Sequence, residues 1–84
     1  MPANRTARLN NPTRQSYFVV MIDFGPKGRE AIVDPEITRR GVIDRLITGE
    51  YRDVHFIHEV VTGEIPRDVT LELQLEASVI AEAA

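Results

Sequence analysis

Six apolar residues in a row, Tyr17 to Ile22 within the stretch Ser16 to Phe24, constrain this chain more than any other part of it. Aromatic and β-branched side chains suit a pleated surface, and a run this short cannot span a bilayer. A period of two divides the stretch. Phe18, Val20, Ile22 and Phe24 fall on one face, and Tyr17, Val19 and Met21 fall on the other, which ends in Asp23. A strand that is apolar on both faces belongs in the middle of a sheet or has a covered back. The stretch is therefore predicted to be a central strand, and the occupant of its second face becomes the question.

The chain around it is small. A chain of 84 residues makes one domain and buries only about 60 to 70% of the surface its unfolded form exposes. It has no cysteine, which excludes a disulfide framework and a thiolate zinc site. Met1 to Gln15 lacks the apolar segment of a signal peptide, so a cytoplasmic location is expected. The net charge of −3 is unevenly spread. Residues 1–15 carry Arg5, Arg8 and Arg14 and no acid, whereas residues 68–84 carry Asp68, Glu72, Glu76 and Glu82 and no base. With two prolines and three asparagines, residues 1–15 read as a disordered basic arm and residues 16–84 as a single folded domain.

Gly25-Pro26-Lys27-Gly28 follows the central strand and suits a tight reversal. It lacks the spacing of a phosphate-binding loop, and its proline removes an amide donor. Arg29 to Val33 then reads as a second strand, antiparallel to the first. Asp34-Pro35-Glu36 combines a capping residue, a first-turn proline and a first-turn acid, which predicts a helix from there to about Thr48, closed by Gly49. Val42, Ile43, Leu46 and Ile47 form its apolar stripe, with Arg39 one turn earlier. Arg39 is expected to lay its methylenes on the core, or to meet an anion. Arg40, four residues from Glu36 and from Asp44, suits an exposed charge ladder.

Arg52 to Val61 reads as a third strand, with Val54, Phe56, His58 and Val60 on the core side and His55, Ile57, Glu59 and Val61 behind. After a turn at Thr62 to Pro66, Asp68 introduces a last segment, Val69 to Ala84. Residues 69–76 alternate as a strand would, but their leucine, glutamate and glutamine favour a helix, which is the assignment adopted. Such a helix has a main stripe of Val69, Leu73, Ala77 and Ile80 and a second stripe of Leu71, Leu75 and Val79 on another side.

Chemistry-bearing patterns are sparse. His55 and His58, three residues apart on a strand, point to opposite faces and cannot share a metal ion. Asp23 with His55 is the one acid/base pair that neighbouring strands could bring together. Nucleophilic catalysis lacks a serine or cysteine beside a base. The sequence thus calls for no catalytic residue, no cofactor, no metal and no small-molecule ligand. Tyr17 on an open sheet face could stack on a nucleobase, against the acidity of the folded part.

The resulting expectation is an α+β, two-layer ββαβα domain, with a three-stranded antiparallel sheet of order 2-1-3 and two helices on one face. Tyr17, Val19 and Met21, flanked by Ile57 and Val61, would then form an uncovered apolar surface, with Leu71, Leu75 and Val79 forming another. The expected function is a non-enzymatic protein–protein interaction module, a homodimer through the sheet face or the last helix. One alternative is a nucleic-acid-associated protein using Arg5, Arg8 and Arg14 with Arg39, Arg40 or Arg45. Another is a small acidic inhibitor that occupies a partner protein's surface.

Overall fold

The computed structural model describes residues 16–83. The expected basic arm, with Arg5, Arg8 and Arg14, lies outside the described residues. Strand β1 (Ser16–Asp23) leads through a single 3-10 turn (Gly25–Lys27) into β2 (Arg29–Val33), then helix α1 (Arg39–Thr48), β3 (Val54–Val61), a two-residue strand β4 (Arg67–Asp68) and helix α2 (Thr70–Ala83). The antiparallel sheet has the order β2-β1-β3-β4. The apolar run occupies a central strand as predicted, and the short β4 extends the expected order by one edge.

Both helices serve one face of the sheet. Phe18, Val20 and Ile22 of β1 and Ile57 of β3 are buried with Val42 and Ile43 of α1, Tyr51, and Val69, Leu73 and Ala77 beside and within α2. Ile32, Ile37, Leu46, Val54 and Ile80 pack around them. Phe24, expected in the core row, is 46% exposed, because β1 ends at Asp23. The Asp23 carboxylate accepts a hydrogen bond from the Gly25 amide at 2.8 Å and turns the chain there.

Two local expectations are corrected. The first helix begins at Arg39, not at Asp34. Asp34 spends its side chain on the Glu36 amide (3.0 Å), and its carbonyl accepts from Ile37. That local turn satisfies the donors a helix start would have used. Thr38 caps the helix instead, its hydroxyl accepting from the Gly41 amide at 3.0 Å. Gly49 closes it as predicted, at φ 81° in the left-handed region.

The second correction concerns β3. Met21 pairs with Phe56 and Ile22 with Val54, so His55 is an extra residue without a partner on β1. This bulge reverses the facing of the strand beyond it. Ile57 and Val61, expected behind the sheet, share the helix side with their cross-strand partners Val20 and Ser16, and Ile57 is fully buried. Phe56, His58 and Val60 move to the back.

The ambiguous segment 69–76 is helical from Thr70 onward, with Val69 just ahead of the helix. Its first turn is fixed to the sheet. Thr70 Oγ1 accepts from the Ile57 amide at 2.7 Å, and the Val69 amide donates to the Ile57 carbonyl at 2.9 Å. The Asp68 carboxylate accepts from both the amide and the hydroxyl of Thr70. The bond from the Thr70 hydroxyl first, and that from the Thr70 amide second, hold the Asp68 pKa below the ordinary carboxylate value.

Candidate interaction surface

Because both helices lie on one face, the strand pairing defines what the other face presents. Cross-strand rows run Val33–Val19–His58, Ala31–Met21–Phe56 and Tyr17–Val60. Tyr17 is 38% exposed and Val33 50%, while Val19, Met21, Phe56, His58 and Val60 are half-buried by their neighbours in the sheet. Among the described residues no helix covers these rows. Tyr17, Val19 and Met21 are thus placed together as expected, and their flanks are Val33 and Ala31 on one side and Phe56, His58 and Val60 on the other. The half of this surface contributed by β3 was missed because a period of two does not reveal a bulge.

Charges of both signs border the apolar rows. Asp23 and Arg29 form a cross-strand pair with 4.0 Å between their charged atoms. At the other side, His58 stacks on Phe56 with ring centroids 4.1 Å apart, and its Nε2 lies 4.0 Å from the Asp68 carboxylate. His55 contacts the Phe56 ring at 5.7 Å between centroids. Asp23 and His55 border the same shallow hollow with Asp53, but the Asp23 carboxylate is engaged by Gly25 and Arg29 rather than by the imidazole.

The second apolar stripe is also where the sequence places it. Leu71, Leu75 and Val79 are 68%, 57% and 66% exposed, on the side of α2 away from buried Leu73 and Ala77. The two stripes of one helix therefore have opposite fates.

Arg39, Arg40 and Arg45, the arginines of the folded part that the nucleic-acid alternative would use, meet carboxylates of the same chain. Arg39 donates to Glu72 Oε2 at 2.7 Å and to Glu76 Oε1 at 2.8 Å, with a further bond to Glu76 Oε2, and so ties α1 to α2. Those bonds raise the Arg39 pKa above its ordinary value and hold Glu76 below that of a free carboxylate, with the hydrogen bond between Arg39 and Glu76 the leading cause in both. The anion that Arg39 meets is thus internal. Arg40 bonds Asp44 at 2.9 Å across one helical turn. Arg45 lies over the Tyr51 ring, donates to its hydroxyl at 3.1 Å, and has Asp34 and Glu50 each at 3.6 Å.

No protein-family model, no curated protein and no solved structure matches this chain. Among the described residues no group of three or more acidic or histidine side chains has the arrangement of a metal site, and no helix is long and apolar enough to cross a membrane.

Proposed function

We propose that this protein is a non-enzymatic interaction module that associates with a second copy of itself through the back of its sheet. The single observation behind this reading is the apolar face that neither helix covers: Tyr17, Val19 and Met21 at the centre, with Val33, Phe56 and Val60 beside them. Two eight-residue strands and the five-residue β2, at about 3.3 Å per residue and about 4.8 Å between strands, give an area at most about 26 Å long and about 14 Å wide. Two such faces packed together match the inner layer of a small β-sandwich. Two such faces together cover roughly 700 Å², below the range of stable specific interfaces, so the association is expected to be weak and dependent on concentration.

The border supports self-association. A two-fold interface brings one patch against its own copy, so it needs an apolar centre and a rim that does not repel itself. Asp23 with Arg29 and His58 with Asp68 supply both signs or a neutral partner at the rim.

Light scattering on a size-exclusion column tests the proposal. The wild-type chain, 9.5 kDa as a monomer, is expected to elute at twice that mass at tens of micromolar. Val19→Asp, which puts a charge at the centre of the face, is expected to elute as a folded monomer. A wild-type mass of one chain at every concentration, or an unchanged dimer in the variant, overturns the assignment of this face.

A further inference from the structure

One row on the back of the sheet crosses all four strands: Val33 on β2, Val19 on β1, His58 on β3 and Asp68 on β4. His58 brings an imidazole into otherwise apolar rows, and an imidazole is the side chain whose charge changes between pH 5 and 8. Its ring stacks on Phe56 with centroids 4.1 Å apart and planes 24° apart, and its side chain is 37% exposed. A second sheet laid on Val19 and Phe56 would take much of the remaining water from it. The charged groups around it are few. One Asp68 oxygen lies 4.0 Å from Nε2 while the other accepts from the amide and hydroxyl of Thr70 at the start of α2. At 4.0 Å the carboxylate attracts a charged imidazole without satisfying its N–H. Arg67, beside Asp68 on β4, is held by Glu59 at 2.9 Å and has Glu72 at 3.8 Å. On β1 the cross-strand partner is the apolar Val19. His55 contacts the same Phe56 ring, and Asp23 and Arg29 at the other border pair with each other.

We infer that His58 makes association through the sheet face dependent on pH, permitting the dimer while its imidazole is neutral and opposing it once the imidazole is protonated. The inference rests on the sheet-face dimer proposed above and names its control. A neutral ring stacked on Phe56 can be covered by a second copy as another part of the apolar surface. A charged ring must give up its water, and burying a charge is costly unless it is both paired and hydrogen-bonded. In the free protomer water reaches His58 and Asp68 alike, so the protonated ring keeps its solvation together with the attraction of Asp68. The dimer therefore binds fewer protons than two free protomers, and by linkage association weakens as pH falls. A two-fold interface contains one His58 from each copy, so two protonations oppose one contact. A face this small has little stability in reserve against them.

Sedimentation equilibrium of the full chain at about pH 7.5 and about pH 5.5, on either side of the ordinary imidazole range, tests the inference. The wild-type dissociation constant is expected to rise at least tenfold at the lower pH, with the far-UV circular dichroism unchanged. His58→Gln, which keeps a polar side chain that does not titrate, is expected to associate equally at both values. His55→Gln is expected to keep the wild-type response. A wild-type dimer of equal strength at both values overturns the inference and leaves the sheet-face dimer standing. A wild-type chain that is monomeric at every pH and concentration overturns the sheet-face dimer and this inference with it. A response that survives in His58→Gln, one that disappears in His55→Gln, or a loss of the circular dichroism signal at the lower pH also overturns the assignment to His58.

Discussion

The two faces of β1 are made of similar residues and meet different surroundings. Phe18, Val20 and Ile22 are buried under two helices, while Tyr17, Val19 and Met21, alternating with them, lie on the bare side. Apolar composition alone therefore does not say what is core. The covered face is the one onto which the connections bring α1 and α2, and the sheet and helices close a single cluster there. The other face is apolar along β1 as far as Met21, and among the described residues no helix lies over it.

Neighbouring substitutions on β3 sharpen this contrast most strongly. Ile57 is fully buried, so Ile57→Ala is expected to lower stability by about 2 to 5 kcal/mol at any protein concentration, measured by urea denaturation. Phe56, next to it and facing back, is expected to behave otherwise. The loss caused by Phe56→Ala should grow with protein concentration and shrink towards the dilute limit, because a dimer adds stability by mass action. Equal, concentration-independent losses at both positions would erase the distinction between the faces.

Smaller effects test how the covering layer is held. Thr38→Ala removes the hydroxyl that accepts from Gly41 and is expected to cost about 1 kcal/mol in the same denaturation experiment. Arg39→Met removes the link between α1 and α2 at an exposed site, and an exposed ion-pair cluster is worth only about 0 to 1 kcal/mol at neutral pH. Its clearer signature is in acid. The Glu76 pKa is depressed in the folded state by Arg39. The resulting stabilisation is present above the unfolded value and disappears as pH falls through the folded value. The wild-type chain should lose its advantage over Arg39→Met below the ordinary glutamate range. A gap between the two that persists unchanged at low pH would assign Arg39 a packing role instead.

Much of this arrangement was legible in the residues. The two-faced run marked the central strand, Gly49 marked the end of α1, and the two stripes of α2 separated cleanly into buried Leu73 and exposed Leu75. Each is a local pattern with a fixed period or a backbone conformation behind it. The misplaced features depended on something the pattern does not carry. His55 as a bulge reversed the facing of Ile57 and Val61, and one inserted residue is invisible to an alternation that is apolar on both sides. Asp34 looked like a helix cap but closed a turn two residues on, leaving that role to Thr38. Arg39 called for an anion, yet Glu72 and Glu76 lie 33 and 37 residues away, and only the packing of α1 on α2 brings them together.

The central claim concerns the burial of Val19 and Met21 by a second copy. It is tested most directly by the broadening of their methyl NMR signals with a soluble paramagnetic agent, on a dilution series. At high concentration both should be protected like Val20 and Ile57, and they should become accessible on dilution or in Val19→Asp, where Met21 reports, while Val20 and Ile57 stay protected. Accessibility of Val19 and Met21 that is high and unchanged across the series would contradict the account.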